Sequence, residues 1–307
     1  MNALKLKNIF FYHFPTLLKI HLRRMIPVIF NKLSITPILS SVMITGRCNS
    51  CCVTCGIWRS QPEGELTTNE WKNVFLQLRN EGVLYLNITG GEPLLRDDLV
   101  ELVDYANSLG FYISIATNGY LLTEGLSLRL IDAGVKLFTI SLDAIGAVFD
   151  RMRGFNGAYK KVNFICRRLS QIRKYKKIEI LISATLTKET LETILDVVEF
   201  AQGLDIPVFF ALVDFTPYFF LTAKNNALWI SSEKEKLLDE IINELIKIKR
   251  KKDSLIRQSY TSLHYIKNYF RDPIQKGIPC SKSLTRICID YQGRIYGGCW
   301  SLGYWGE

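Results

Sequence analysis

The stretch PILSSVMITGRCNSCCVTC, residues 37–55, joins an apolar β-rich run to four cysteines that lie within eight residues. The run from Pro37 to Thr45 is predicted to be a strand. The loop after it carries Cys48, Cys52 and Cys55 in a C-x3-C-x2-C spacing. Three thiolates on one short loop can hold three corners of a [4Fe–4S] cube, because cysteine is the usual ligand of such clusters. This spacing leaves the fourth iron open to another ligand.

Two alternatives stay open for the cysteine loop. Zinc is the first, although zinc sites more often show paired C-x2-C or Cys/His spacing with four ligands. None of the three histidines, at positions 13, 21 and 264, lies near the loop. The second alternative is a different frame, in which Cys51 replaces Cys52 as the middle ligand.

The rest of the first two thirds of the chain alternates strand-like with helix-like segments. Parallel pairing is predicted, because helical crossovers join the strands. The result is an open doubly wound sheet or a partial barrel, and in both the ligands bind at the carboxyl ends of the strands. The six predicted strands are Pro37–Thr45, Val83–Ile88, Phe111–Ala116, Val135–Ile140, Ile178–Ala184 and Pro207–Val213.

A second polar motif, Thr89-Gly90-Gly91-Glu92-Pro93, follows the second predicted strand. Paired glycines at a strand end let the backbone approach a ligand closely. Glu92 offers a carboxylate to an ammonium group. Taken alone, the same string is also typical of a tight turn.

In this order and spacing, the motifs resemble those of the radical S-adenosylmethionine (radical SAM) enzymes over about residues 37–214. The chain is similar to the branch that contains molybdenum-cofactor cyclases and enzymes with a C-terminal auxiliary-cluster domain of the twitch or SPASM type. The matching segments are Thr45, Arg47–Asn49, Cys52, Cys55, Thr89–Arg96, Thr117–Gly119 and Ser141–Asp143.

The resemblance implies an α/β fold, a partial (β/α)6 TIM-type barrel with a [4Fe–4S] cluster at its mouth. It also implies an enzyme that binds S-adenosylmethionine at the open iron and cleaves it reductively to a radical that abstracts hydrogen from a substrate. A low-potential one-electron donor of the flavodoxin or ferredoxin type is the partner this chemistry needs.

The resemblance also assigns residues. The cluster ligands would be Cys48, Cys52 and Cys55, and the methionine amino group would lie at Gly90, Gly91 and Glu92. Arg96 matches a position that often contacts an anionic substrate group, although an arginine there can also pair with Asp97 or another neighbour. The ribose or carboxylate side of the cofactor would be contacted by Ser141 and Asp143, with Asn118 and Ser183 as further candidates.

Three cysteines near the end of the sequence suggest a second site. Cys280, Gly293 and Cys299 resemble the opening of an auxiliary-cluster domain, with one residue more than the family spacing between the glycine and the second cysteine. A second cluster would use Cys280, Cys288 and Cys299. A degenerate domain with reduced cysteines is the alternative.

Basic and acidic residues are unevenly distributed along the chain. The formal net charge is +10, yet residues 1–62 carry eight basic side chains and no acidic one. Residues 1–36 are predicted to be a basic amphipathic extension, which either contacts an anionic membrane surface or packs against the barrel. Residues 37–225 are predicted to be the core barrel, and residues 226–307 a small C-terminal region. Nucleic acid is disfavoured, because no nucleic-acid-binding motif accompanies the charge.

A cytoplasmic protein, with peripheral membrane association through the extension as an option, is the expected location. The cysteine spacing is unlike that of a secreted disulfide scaffold. A lipid, tetrapyrrole or other small-molecule substrate is expected, since no complete auxiliary domain or peptide-clasping module is evident. A peptide-modifying maturase is the alternative within the same class. A non-catalytic iron–sulfur or zinc protein is the alternative from another class.

Overall fold

A nine-stranded sheet organises the computed structural model, which describes residues 37–59, 62–213, 227–271, 285–298 and the backbone of 304–306. The strand order is β6-β5-β4-β3-β2-β1-β7-β8-β9. Strands β1 to β7 pair in parallel and the last two pairings are antiparallel. The strands are β1 Leu39–Met43, β2 Tyr85–Thr89, β3 Tyr112–Thr117, β4 Val135–Ser141, β5 Glu179–Leu186, β6 Val208–Leu212, β7 Arg286–Ile289, β8 Ile295–Gly297 and β9 Tyr304–Gly306.

Strands β6 and β9 are the two edges, so the sheet does not close on itself. The predicted α/β partial barrel is confirmed, as are the six parallel strands β1 to β6. No helix in the described ranges is long and apolar enough to cross a membrane. The helices are α1 Thr68–Asn80, α2 Leu99–Ser108, α3 Glu124–Ala133, α4 Gly146–Arg153, α5 Ala158–Ile172, α6 Ile194–Gly203, α7 Glu235–Arg250 and α8 Tyr260–Tyr269.

Local sequence signals fix the start of the first helix. The Glu70 amide donates to Thr67 Oγ1 at 3.3 Å, while the Thr67 amide donates to Glu70 Oε2 at 2.7 Å. This reciprocal capping box satisfies two backbone donors that the first helical turn would otherwise leave free. A threonine followed three residues later by a glutamate predicts this capping pair from sequence, and the structure confirms it.

The sequence also predicts a helix over Thr187–Gly203 and another that starts at Ser232, and the structure differs at both starts. The helix expected from Thr187 begins as α6 at Ile194, because Thr190 Oγ1 accepts from the Thr187 amide at 2.9 Å and donates to Thr185 O at 2.8 Å. These local side-chain bonds offer the backbone an alternative to the helix. The helix expected from Ser232 instead enters α7 through a 3-10 turn, and Lys234 occupies its N-cap without a side-chain hydrogen bond.

Burial alternates along the strands, which distinguishes an outer face of the sheet from an inner one. In β5, every second residue is buried and the others are half-buried, as expected when one face packs on helices. Register continues this pattern across the sheet, because Ser141 of β4 lies opposite Ser183 of β5. The half-buried residues therefore line one concave inner face.

The alternating pattern from Arg286 to Ile295 predicts a strand or a hairpin that turns at Gln292 and Gly293. The structure shows the hairpin β7–β8, with Gly293 at φ +86° in its turn. Its first strand pairs with β1, placing Leu39 opposite Arg286. The hairpin thus extends the barrel sheet. The domain boundaries stay predictions, and the basic extension of residues 1–36, with the membrane contact expected of it, lies outside the described residues.

Candidate functional site

The cysteine loop follows β1 at the carboxyl end of the sheet. Cys52 is buried, Cys48 and Cys55 are half-buried, and Cys51 is exposed. All four thiols are free. Burial and contacts therefore favour the frame with Cys52 over the frame with Cys51.

The electrostatics of this loop fit a bound cationic group. Burial raises the pKa of the Cys48 thiol to about 12, and negative charge on Cys52, Glu92 and Cys55 adds to the increase. Burial and Cys52 also raise the pKa of Cys55. Three thiolates would repel one another here, so a metal centre is needed to hold them ionised.

The same thiols do not fit one small metal ion. Within the described residues, no three Cys, His, Asp or Glu side chains converge as ligands of a single ion. Three cysteines that each bind a different iron of a cube stand farther apart than the ligands of one zinc ion. This arrangement favours a cluster over the zinc alternative.

The GGE segment after β2 packs against the cysteine loop through backbone. The Gly91 amide donates to Thr45 O and the Glu92 amide to Arg47 O, both at 2.8 Å. A Cβ at Gly91 would lie 2.1 Å from Arg47 O, and a Cβ at Gly90 would lie 2.5 Å from Thr45 O. The two glycines are therefore required by the approach of two protein backbones.

The buried side chain of Glu92 also holds the GGE segment in place. Its side chain is fully buried, and its carboxylate accepts from Thr117 Oγ1 at 2.7 Å, the Asn118 amide at 2.7 Å and the Leu94 amide at 3.1 Å. Burial raises the pKa of Glu92 to about 7, against the lowering by these hydrogen bonds. In this arrangement the carboxylate ties the GGE segment to the end of β3.

Asn118 connects the end of β3 to the cysteine loop. Its Nδ2 donates to Asn49 Oδ1 at 2.7 Å, and its Oδ1 accepts from the Tyr120 amide at 3.0 Å. Both functional groups of this predicted cofactor contact are thus engaged with protein.

The opposite side of the cysteine loop meets a buried ion pair that the sequence did not reveal. Asp143 lies 2.5 Å from Arg153 Nη2, and its other oxygen accepts from the Thr185 amide at 2.8 Å. Arg153 Nη1 donates to the sulfur of Cys52 at 3.5 Å. Asp143 raises the pKa of Arg153, although burial acts the other way. Ser50 Oγ donates to Arg153 O at 2.9 Å and lies 3.0 Å from the same sulfur.

Backbone contacts reinforce this side. The Cys51 amide donates to Arg153 O at 3.2 Å, and the Val53 amide donates to Met152 O at 2.9 Å. A Cβ at Gly154, whose φ is +64°, would lie 2.7 Å from Cys51 O. The end of α4 therefore packs against the side of the cysteine loop opposite the GGE segment.

Arg153 is the principal residue that the sequence reasoning missed. It lies in an acid-free run between Asp150 and Glu179 that contains ten basic residues. Its Nε is buried and has no hydrogen-bond partner within the described residues. A run of this kind was a usable signal, but nothing local distinguished Arg153 from its basic neighbours.

Arg96 is engaged by protein. Its Nε and Nη2 donate to the two carboxylate oxygens of Asp98 at 2.8 and 2.6 Å, and its Nη1 donates to Ile44 O and Leu66 O at 2.9 and 3.0 Å. The interpretation as a local pair describes this geometry, with Asp98 as the partner in place of Asp97.

Ser141 and Ser183 differ from the other predicted cofactor contacts. They face each other on the inner face, are half-buried, and their hydroxyls have no hydrogen-bond partner in the part of the chain that the structure describes. These two hydroxyls are available to a ligand. The engaged candidates are Gly90, Gly91, Glu92, Asn118 and Asp143.

The C-terminal cysteines can be placed only in part. Cys288 is buried in β7, where it lies opposite Ser41 of β1. Cys280 and Cys299 lie outside the described residues, so the second cluster stays a prediction.

Comparison with known proteins adds three findings. The model of the Radical SAM superfamily matches residues 42–208. A PqqA peptide cyclase from Rhizobium meliloti is 39% identical over 128 residues, which cover 41% of this chain and 34% of that protein. A probable GTP 3′,8-cyclase from Methanothermobacter marburgensis is 44% identical over 108 residues, 34% of each chain.

A solved structure shares the fold. Streptococcus suis SuiB bound to its precursor peptide SuiA gives a TM-score of 0.67 at 17% identity, over 91% of this chain and 63% of that one. The aligned segments span less than half the length of the curated PqqA peptide cyclases.

Proposed function

This chain belongs to the radical SAM superfamily, and we propose that it is a peptide-modifying member of it. Enzymes of this superfamily use a [4Fe–4S] cluster and S-adenosylmethionine, and they require a one-electron donor. When bound, the two groups supply a radical that abstracts hydrogen from a substrate. The single observation that carries the class is the three-cysteine loop at the carboxyl end of β1, which packs between the GGE segment and the end of α4.

The residues of this chain have separable roles in the proposal. Cys48, Cys52 and Cys55 hold the cluster. The hydroxyls of Ser141 and Ser183 bind S-adenosylmethionine on the inner face. The other predicted contacts fix the position of the cysteine loop.

Arg153 acts as a positioning residue in this scheme. It donates a hydrogen bond to the Cys52 sulfur and stacks on the Phe149 ring, with 5.2 Å between the guanidinium carbon and the ring centroid. Hydrogen bonds to a ligand sulfur both orient the ligand and stabilise negative charge on it.

The relatives support a peptide substrate better than the small molecule or lipid expected from the sequence. Peptide cyclase is the name of several relatives, and a structural neighbour was solved with a precursor peptide. The small-molecule alternative is supported by the GTP 3′,8-cyclase over a shorter alignment, and by an AdoMet-dependent heme synthase from Methanosarcina barkeri that is 35% identical over 173 residues, 55% of this chain and 48% of that protein.

The inner face also suits a peptide. Asn87 accepts from Ser114 Oγ at 2.8 Å and donates to Ser41 Oγ at 3.4 Å, forming a polar row across three strands. Ser41 and Ser114 are buried, so the half-buried Asn87 is the member of this row that can bond to a peptide backbone, through the second hydrogen of its amide nitrogen and the second lone pair of its amide oxygen. The open side of the sheet between β6 and β9 would admit an extended chain.

The ligand frame can be tested with a matched pair of variants. Cys52→Ser is expected to abolish cluster absorbance and reductive formation of 5′-deoxyadenosine after anaerobic reconstitution. Cys51→Ser, at the exposed neighbouring position, is expected to keep both. Equal loss in the two variants would contradict the assigned frame.

The substrate class can be tested separately. An extract of the cells that encode the protein is separated into fractions by molecular size. Each fraction is mixed with the reconstituted enzyme, S-adenosylmethionine and a reductant, and the 5′-deoxyadenosine formed is measured. The peptide-sized fraction is expected to stimulate its formation, and prior protease treatment of the fraction should remove the stimulation. Stimulation by a protease-resistant fraction of small molecules would overturn the peptide assignment while leaving the radical SAM class intact.

A further inference from the structure

We propose that a solvent-facing patch beside the cysteine loop is the docking face for the acidic one-electron carrier protein that reduces the cluster. This entry face consists of three exposed apolar and three exposed basic side chains. Its members are Val53, Leu121, Phe155, Arg151, Lys160 and Lys161.

The entry face is continuous with the cluster loop. Val53 lies between two predicted cluster ligands, and its amide donates to Met152 O at 2.9 Å. Phe155 follows Gly154, which packs against the Cys51 carbonyl. A partner on this face would therefore contact the outer surface of the loop that holds the cluster.

Two aromatic rings connect the entry face with the interior. Phe155, 38% exposed, stacks on the buried Tyr120 with 5.5 Å between the ring centroids. Tyr120 in turn is connected to the cysteine loop through Asn118, whose Oδ1 accepts from the Tyr120 amide at 3.0 Å and whose Nδ2 donates to Asn49 Oδ1 at 2.7 Å. Electron tunnelling weakens steeply with distance, so a carrier that docks against these rings would place its redox group close to the cluster.

The charges of the entry face select an acidic partner. Lys161 Nζ lies 5.0 Å from the centroid of the Phe155 ring. Within the described residues, Arg151, Lys160 and Lys161 form no ion pair. The nearby carboxylate of Asp150 accepts from backbone amides. Exposed cations around an apolar centre steer an anionic protein toward a defined contact.

Three other cations of the same run are neutralised by carboxylates, whereas Arg167, Lys174 and Lys177 form no ion pair within the described residues. Arg168, Arg173 and Lys176 pair with Glu124, Asp205 and Asp132, respectively, at 2.7–2.8 Å. Within the described residues, helix α5 therefore has two unpaired lysines in its first turn and one unpaired arginine near its other end. At this face one electron leaves the reduced carrier and enters the bound cluster, and no covalent bond forms or breaks.

The test measures reduction of the reconstituted cluster in a stopped-flow instrument. Reduced flavodoxin is mixed with the enzyme, and the loss of cluster absorbance is followed at several salt concentrations. The Lys160→Glu/Lys161→Glu variant is expected to lower the second-order rate constant at least about tenfold at low salt, and the difference should shrink as salt screens the charges. Phe155→Ala is expected to slow the reaction without changing its salt dependence.

A matched control is available in the same basic run. Lys174→Glu/Lys177→Glu makes the same charge change at exposed positions roughly 20 Å farther along the α5 direction. It is expected to change the rate less than about twofold. Reduction by dithionite should be equal in all variants, since this small reductant needs no docking face.

Three outcomes would overturn the proposal: an unchanged rate in the Lys160→Glu/Lys161→Glu variant, an equal effect in the control pair, or slower reduction by dithionite as well. A further result would also contradict it. If the same variant lost retention by anionic phospholipid vesicles while flavodoxin reduced it at the normal rate, the face would be a membrane contact. The measurement requires no substrate, so it is independent of the peptide assignment.

Discussion

The two loops that grip the cysteine loop do so by different physical means. After β2, the GGE segment meets the cysteine loop through backbone hydrogen bonds that only glycine permits. After β4, Asp143 and Arg153 meet it through a buried ion pair that reaches the Cys52 sulfur. The first contact sets the distance between the backbones of the GGE segment and the cysteine loop, and the second places a positive charge next to the Cys52 sulfur. Four substitutions separate these contributions.

Removing the charge on the second side is expected to cost the most. Arg153→Met leaves Asp143 buried without its partner, which should lower the free energy of unfolding by about 4 kcal/mol. Urea unfolding of the metal-free chain measures this loss. In the double variant Asp143→Asn/Arg153→Met no unpaired charge remains, so most of the loss should be recovered. If the double variant were as unstable as the single one, the contact would not be electrostatic.

Gly91→Ala tests the first side. The added Cβ would meet Arg47 O at 2.1 Å and separate two backbones joined by two hydrogen bonds. We expect a loss of about 3 kcal/mol in unfolding free energy, together with reduced iron content after reconstitution.

Gly125→Ala is the control for this substitution. Gly125 lies in helix α3 with nothing within 4 Å of the added Cβ, so stability should rise by up to about 1 kcal/mol. A Gly91→Ala protein as stable as this control would show that the close approach is not needed.

A pH titration tests the contrast further, because Glu92, the buried acid of the first side, forms no ion pair within the described residues, although the more distant charge of Arg153 lowers its pKa. Burial raises the pKa of Glu92 from 4.5 to about 7, so the folded chain binds the proton more tightly than the unfolded chain. The stabilisation is fully present below about pH 4.5 and is lost as the pH rises through about 7. The expected loss is about 2–3 kcal/mol.

Unfolding of the metal-free chain at several pH values measures this slope. Glu92→Gln should remove the slope, whatever its effect on absolute stability. A slope that persists unchanged in this variant would assign it to another group.

The smallest effect is expected at Ser50, where the cysteine loop touches the second side. Ser50→Ala removes a buried hydrogen bond to Arg153 O and should cost about 1 kcal/mol. Ser108→Ala removes an exposed hydroxyl that donates to Tyr105 O and should change stability little. Chemical denaturation of both variants distinguishes a specific contact from a general loss of serine hydroxyls.

The sequence predicted those features that depend on neighbours in the chain. The capping box of Thr67 and Glu70 lies within four residues, and the six parallel strands follow from apolar periodicity. The cysteine spacing predicted the candidate site for the same reason. Membership of the superfamily follows from these motifs and from the match over residues 42–208.

Contacts between distant residues escaped prediction. Cys52 and Arg153 are far apart in sequence, and only the packing of α4 against the cysteine loop brings them together. The hydrogen bonds of Glu92 to Thr117 and of Arg96 to the backbone of Ile44 escaped for the same reason, whereas the pairing of Arg96 with a neighbouring carboxylate was among the predictions. A motif indicates which residues are at the site, but the folded chain decides which of their atoms remain free for a ligand.

The position of β1 between β2 and β7 has a consequence for biosynthesis. Leu39 pairs with Tyr85 on one side and with Arg286 on the other. As the chain leaves the ribosome, β1 can acquire its first neighbour early, whereas its second neighbour is synthesised long afterwards. The strand that presents the cysteine loop therefore stays half-paired through most of translation. Such non-local pairing is slow to form, so the pairing of β1 with β7 is expected to be completed late in folding.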